Sequence, residues 1–260
     1  MTPTEPVTPL LPDHVQTWQD SLQWQPAPEQ QAQFQAIYAG ILAGNQQMNL
    51  TRITEPTEFW EKHLWDSLSG LSPWLQTPEL RPDWLAEHVI DKVTAIDIGT
   101  GAGFPGLPAA IALPSWQITL LDSTQKKIRF LQELVQERGL GNVRAIADRA
   151  EFLAHQPGHR EQYDLALVRA VGSAATCAEY ALPLIKVGGI ALLYRGQWTE
   201  EEAQSLAQAA GQLGGHLLAQ QPRKTPLSQG TRHCIYLHKH SRTGETFPRT
   251  AGIPAKQPLA

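Results

Sequence analysis

The residue types most able to do chemistry stand in one stretch, Asp97-Ile98-Gly99-Thr100-Gly101-Ala102-Gly103-Phe104-Pro105-Gly106. A short apolar run, 93–98, ends there in glycines that let a backbone turn tightly and approach a ligand. Pro105 is placed to be the first helical residue, where its missing N–H costs nothing. Residues 101–106 match G-x-G-x-x-G, the pattern that lays a pyrophosphate on a helix N-terminus. Asp122 follows at about the distance expected of a ribose-binding acid. A nicotinamide oxidoreductase is therefore one reading. Two details favour another. The first glycine after the run is Gly99, so the loop reads Gly-x-Gly-x-Gly one register earlier, and Asp97 stands inside the strand end, facing the site. A carboxylate there repels a pyrophosphate and attracts an ammonium or sulfonium group. S-adenosylmethionine carries both cations and a ribose, with no phosphate.

Asp122 closes the second apolar run and can accept both ribose hydroxyls, with Ser123 and Thr124 set to cap the following helix. An ordinary N-cap would use the same three residues. Asp148-Arg149-Ala150-Glu151 follows the third run, where an adenine edge would lie, and Arg169-Ala170 follows the fourth, where substrate must meet the methyl group. The Asn/Asp-Pro-Pro-aromatic turn of amine methylation is replaced by Val168-Arg169-Ala170-Val171. Cys177, the residue a carbon-5 mechanism would need, lies in a helical stretch between Thr176 and Ala178 and reads as core. A target that is already nucleophilic remains. Guanine N7 has a lone pair and no proton to lose, so its methylation needs alignment rather than a base.

The elements that position these residues follow from periodicity. Prolines at 3, 6, 9 and 12 mark 1–12 as a loose extended leader. Residues 13–92 read as a helical extension. Val15, Trp18 and Leu22 share one face, as do Phe34, Ile37, Tyr38 and Ile41, and then Trp60, Leu64, Leu68 and Leu71. Its tryptophans fall at core spacings rather than as base-stacking platforms. From 93 to 240 the rhythm alternates. Strands are expected at 93–98, 117–122, 142–147, 163–168, 190–194 and 232–239, with helices at 105–113, 124–138, 173–185 and 199–213. That order means an α/β fold with a mostly parallel sheet. The last strand enters antiparallel, as a hairpin with one near 215–219. Residues 241–260, rich in Gly and Pro, read as a loop-like tail.

The 260 residues are 42% hydrophobic and 18% charged, which excludes disordered and fibrous chains. No apolar run reaches the ~18 residues of a membrane span, and the first residues lack the regions of a signal peptide. Cys177 and Cys234 make neither a disulfide framework nor a metal set and suit a reducing cytoplasm. The net charge of −4 hides a basic segment, 221–260, carrying Arg223, Lys224, Arg232, Lys239, Arg242, Arg249 and Lys256 against Glu245 alone. An anionic partner held by that end is one reading, and a solubilising tail the other.

The chain resembles the bacterial glucose-inhibited division protein B family, methyltransferases of guanine N7 in 16S ribosomal RNA. The resemblance runs from about Gly44 to the C-terminus. It rests on Met48-Asn49-Leu50-Thr51, His63-Leu64-Trp65-Asp66-Ser67-Leu68, the glycine loop, Leu121-Asp122-Ser123, Arg149-Ala150-Glu151, Arg169-Ala170 and Phe247-Pro248-Arg249…Pro254-Ala255-Lys256…Pro258-Leu259. It implies a Rossmann-like S-adenosylmethionine-dependent fold. By resemblance the cofactor residues are Gly99, Phe104, Asp122, Ser123, Thr124, Ala150, Glu151 and Arg169, the last on the cofactor carboxylate. Val168 stands where the family usually has Ser, and Arg195-Gly196 where it often has Lys-Gly. Arg195, Arg232, Arg249 and Lys256 are expected to grip 16S rRNA or the small subunit. No metal is expected, and a monomer is. His63 and Asp66 share a helix face, either as a wall of the guanine pocket or as a structural pair. An RNA-binding or assembly protein with a vestigial pocket is the non-catalytic alternative.

Overall fold

The computed structural model describes residues 8–86 and 92–259. Its strands are β1 (Thr94–Ile98), β2 (Gln117–Asp122), β3 (Val143–Ala147), β4 (Tyr163–Arg169), β5 (Ile185–Arg195), β6 (Gly215–Lys224) and β7 (Thr231–Lys239). They form one sheet in the order β3-β2-β1-β4-β5-β7-β6. The first five run parallel, and β7 is antiparallel to both β5 and β6. The order reverses at β1, so the crevice beyond the ends of β1 and β4 is where such sheets bind ligands.

Helices precede and alternate with the strands. The extension holds α1 (Val15–Leu22), α2 (Pro28–Asn45), α3 (Pro56–Phe59), a π-helical turn (Trp60–Trp65), α4 (Asp66–Ser69), α5 (Ser72–Leu75) and α6 (Asp83–Ala86). The crossovers hold α7 (Gly106–Ala112), α8 (Gln125–Glu137), α9 (Ala150–Leu153) and α10 (Ala174–Ala181). Then come α11 (Glu200–Gln212) and, in the tail, α12 (Ile253–Lys256).

Both sheet faces are buried, which is why the strands read as apolar runs. Ala95, Leu120, Leu167 and Leu192 share one apolar cluster with α7, α8 and the extension. Ile96, Leu121, Val168 and Leu193 face the other side, under α9, α10 and α11. Trp18, Leu22, Phe34, Ile37, Tyr38, Ile41, Trp60, Leu64, Leu68 and Leu71 are all buried in the first cluster, while Val15 stays exposed. Each such side chain contributes about 1.5–3 kcal/mol by leaving water. The extension is therefore one wall of the main core. Tyr194 and Tyr236 fasten it, donating from their hydroxyls to the carbonyls of Ser67 at 2.6 Å and Gly70 at 2.8 Å.

Three expectations are corrected or sharpened. The described end of the leader is docked: the Leu11 N–H donates to Gln35 Oε1, and Gln35 Nε2 to the Pro9 carbonyl. Pro3 and Pro6 of the period-three pattern, and 87–91 of the expected helical region, lie outside the described residues. Residues 241–259 are loop apart from α12, yet that loop is packed down on the domain. Arg160 donates to the carbonyls of Thr243, Gly244 and Phe247, and Leu259 is buried against the second cluster. Nor is the basic segment a free positive surface. Lys239 is buried on Glu161, Arg242 pairs with the same carboxylate, Arg249 pairs with Glu179, and Arg232 with Asp66. Four of its seven cations are thus paired with acids of the body.

Candidate cofactor and substrate site

After β1 the chain turns through Gly99, Gly101 and Gly103 at φ of 71°, 60° and 99°, values that disfavour any side chain. The helix then begins at Gly106, with Pro105 in the capping position rather than inside it. A Cβ at Gly106 would lie 2.2 Å from Leu120 Cδ2, so glycine lets α7 pack on β2.

Two carboxylates occupy the N–H groups of this loop. Asp97 Oδ2 accepts the Thr100 hydroxyl at 2.6 Å and the Gly106 N–H at 2.8 Å. Its other oxygen, Oδ1, is buried without a partner. Burial pushes the Asp97 carboxyl up to about 6, against the opposing pull of those two hydrogen bonds. Asp122 Oδ2 accepts the Gly101 N–H at 3.0 Å, and Oδ1 the Thr124 N–H at 2.8 Å. Asp122 thus ties the loop to the start of α8. Thr124 occupies the cap position of that helix without the side-chain cap bond expected there, and Asp122 holds its backbone N–H.

A cavity of about 190 Å³ opens beside the loop, lined by Gly99, Asp122, Ser123, Ala150, Glu151 and Tyr180 among others. Arg149 Nη2, the Tyr180 hydroxyl and the Gly252 N–H, at 3.0, 3.2 and 2.9 Å, all donate to Glu151 Oε1. Burial pulls the Glu151 carboxyl up, but these donors outweigh it and hold it below the usual carboxylate value. The Tyr180 hydroxyl is pushed up to about 12 by burial and by that carboxylate.

A second cavity, of about 700 Å³, is lined by Lys62, His63, Asp66, Arg169, Arg195 and Arg232 among others. Its inner wall is the π-helical turn. In that register the Asp66 N–H bonds the Glu61 carbonyl, five residues back, and the Lys62 carbonyl accepts Arg169 Nη1 at 2.8 Å. Asp66 then holds two arginines, Arg169 Nη1 at 2.9 Å and Arg232 Nε at 3.1 Å. His63 Nε2 meets the Thr51 hydroxyl at 2.8 Å, and its Nδ1 lies 3.4 Å from Arg169 Nη2. Burial, then the charges of Arg169 and Lys62, lowers the His63 imidazole to about 3. It is neutral at ordinary pH. His63 and Asp66 therefore share Arg169, and both line this cavity.

Eight of the expected residues divide between the two cavities, while Phe104, Thr124, Arg249 and Lys256 line neither. Gly99, Asp122, Ser123, Ala150 and Glu151 line the first, and Arg169, Arg195 and Arg232 the second. The Arg169 guanidinium lies 5.7 Å from the centre of the Phe104 ring, beside the glycine loop. Arg195 is held by the Gly172 carbonyl and Glu202. Lys256 is exposed on α12. Arg249 is corrected: its guanidinium grips the fully buried Glu179 carboxylate at 2.6 to 3.2 Å and is not free for phosphate. Cys177 and Cys234 are buried, with thiols pushed up to about 12 by burial, so neither is a nucleophile. The sequence reading missed Lys62, Tyr180 and Gly252. Lys62 stands next to a residue already singled out, whereas Tyr180 and Gly252 carry no local signal.

A family profile described as rRNA small subunit methyltransferase G matches residues 30–226. The curated protein "Ribosomal RNA small subunit methyltransferase G" of Trichormus variabilis is 52% identical over 253 residues, covering 97% of this chain and 100% of that protein. The protein of the same name from Synechococcus elongatus is 54% identical over 245 residues, covering 94% and 96%.

Proposed function

This chain belongs to the rRNA small subunit methyltransferase G family, and we propose that it transfers a methyl group from S-adenosylmethionine to N7 of a guanine in 16S ribosomal RNA. The observation that carries the cofactor assignment is the pair of carboxylates on the glycine loop. The Gly101 and Gly106 N–H groups, which a pyrophosphate would need, already donate to Asp122 and Asp97. A dinucleotide would meet negative charge there, and a phosphate-free cation meets acceptors. The unpartnered Oδ1 of Asp97 fits an ammonium donor.

In this reading Gly99, Asp122, Ser123, Ala150 and Glu151 hold the nucleoside, while Phe104 supports His63 and Thr124 starts α8. Arg169 is placed for the cofactor carboxylate. When bound, S-adenosylmethionine supplies an electrophilic methyl on a cationic sulfur. This chain's residues need only align a guanine whose N7 lone pair is free. A guanidinium aimed at N7 would oppose the reaction, because the product ring is cationic. Asp66 holds Arg169 and Arg232 to the side, where Arg232, with Lys62 and Arg195, suits flanking phosphates. The neutral His63 ring, lying on Phe104, offers a flat wall.

Among the described residues, no helix is long and apolar enough to cross a membrane, and no cluster of His, Cys, Asp and Glu is built to hold a metal. We read the protein as a cytoplasmic monomer acting on the small ribosomal subunit or its RNA.

Tritiated-methyl transfer to small-subunit RNA tests the activity. Borohydride and aniline cleavage, which breaks the strand at N7-methylguanine, tests the position. A folded, cofactor-binding protein that labels no RNA would leave the non-catalytic alternative. Label without cleavage would move the target off N7.

A further inference from the structure

The cofactor cavity has a wall that comes from the far end of the chain. Glu151 is almost fully buried, and its Oε1 receives the Gly252 N–H at 2.9 Å across 101 positions of sequence. With Arg149 and Tyr180 donating to the same oxygen, the carboxylate is turned so that Oε2 is the atom left to a ligand. The segment that carries Gly252 is itself fixed on α10. Arg249 donates through its backbone N–H, Nε and Nη2 to the buried Glu179, and through Nη2 to the Gln257 carbonyl. Three residues earlier on the same helix, the Thr176 hydroxyl donates to the Pro254 carbonyl at 2.9 Å. His155 Nε2 meets the Pro248 carbonyl at 2.8 Å, which binds the strap to the turn after α9 as well. The strap therefore spans α9 and α10, the two helices that carry Glu151 and Tyr180.

We propose that the C-terminal strap is a positioning element of the cofactor site, with Arg249, through Glu179, holding the Gly252 N–H where it orients Glu151 toward the bound nucleoside. The inference rests on the reading of the first cavity as the S-adenosylmethionine site. It assigns the basic residue Arg249 to cofactor binding at second hand and takes it away from RNA. A carboxylate binds a ligand well only in one orientation, and fixing that orientation beforehand removes an ordering cost from binding.

The test is S-adenosylhomocysteine affinity by calorimetry on the full chain, with melting temperature alongside. Arg249→Ala is expected to weaken binding about twofold to tenfold, the net scale of one ordinary hydrogen bond. Arg249→Lys, which keeps charge and loses the fork, falls between. KM for S-adenosylmethionine should rise while kcat at saturation holds. The decisive comparison is in a Glu151→Ala background, where Arg249→Ala should cost no further affinity. Because an unpaired Glu179 is costly, Arg249→Ala could fail to fold; Thr176→Val then takes its place and is expected to shift affinity in the same direction by a smaller factor. A strap variant that melts earlier yet binds S-adenosylhomocysteine as the unmodified protein does overturns the proposal. So does a loss that adds in full to that of Glu151→Ala. Failure of the unmodified protein to bind S-adenosylhomocysteine would instead sink the cofactor reading itself.

Discussion

His63 lies flat on Phe104, with ring centres 4.4 Å apart and planes 7° from parallel. One ring belongs to the extension, the other to the loop after β1, so the stack joins the wall of the larger cavity to the glycine loop. A charge on His63 would disturb it, and the imidazole is held neutral, at about 3. The unfolded chain takes up that proton near 6.5. Stability from this residue is thus fully present above 6.5 and is lost as pH falls from 6.5 toward 3, by up to about 1.4 kcal/mol per pH unit. Urea unfolding at pH 7, 5 and 4 should show this slope, and His63→Phe should flatten it. Equal slopes in both proteins would remove His63 as the cause.

Asp97 titrates in the opposite sense. Its folded value, about 6, lies above the unfolded 3.8. Its contribution to stability is present below 3.8 and lost as pH rises through 6, so Asp97→Asn should gain stability relative to the unmodified chain above pH 6. Binding should run the other way. An ionised Asp97 is the better partner for an ammonium, and S-adenosylhomocysteine affinity is expected to rise between pH 5 and 7.5 and to stay flat in Asp97→Asn. A flat profile in the unmodified protein would separate Asp97 from the ammonium.

Asp122 joins the Gly101 and Thr124 N–H groups. Asp122→Ala should cost roughly 1.5–3 kcal/mol of cofactor binding, the scale of charge-assisted hydrogen bonds. The fold should survive, since the sheet does not depend on this side chain. Unchanged S-adenosylhomocysteine affinity in a folded variant would leave Asp122 with its helix-start role alone.

Arg169 is already committed to Asp66 and the Lys62 carbonyl. Arg169→Ala should lower stability by up to about 3 kcal/mol, because Asp66 stays buried with one fewer partner. Adding Asp66→Asn should restore part of it. The cofactor role predicts a loss of S-adenosylhomocysteine affinity that this second change does not restore. If melting temperature alone responds, Arg169 serves the fold and not the ligand.

RNA binding separates the basic residues by surroundings. Arg195→Ala and Arg232→Ala, both on the larger cavity, should each reduce the log–log salt slope of RNA binding by about 0.7–0.9. Arg249→Ala should leave that slope unchanged. Filter binding at several salt concentrations reads it directly, and a slope change on Arg249→Ala would return that residue to the RNA surface.

The strands and the site loop were legible because their signals are local. A sheet buried on both faces must be written as apolar runs, so 117–122 was read to the residue and 142–147 to within one. Asp97, Gly99 and Asp122 end such runs and stood out for that reason. What escaped depends on partners far along the chain. Gly and Pro mark the tail as loop, but its docking is not legible, because Arg249 and Glu179, which hold it down, are separated by 70 positions. The π-helical turn keeps Trp60 and Leu64 on the core side much as an α-helix would, so apolar spacing alone does not reveal it. β5 begins at Ile185 rather than 190, because Gly188 and Gly189 interrupt its pattern.

The fastening of the extension to the sheet also orders events during synthesis. A ribosome delivers residues 56–72 early. The groups that receive them, Tyr194, Arg232 and Tyr236, follow 127 to 166 positions later. Until then Trp60, Leu64 and Leu68 have no finished surface to cover, and contacts of such long sequence separation form late. The wall that would receive guanine is thus completed only when nearly the whole chain has emerged, and a nascent fragment ending before β7 would carry the glycine loop without a place for RNA beside it.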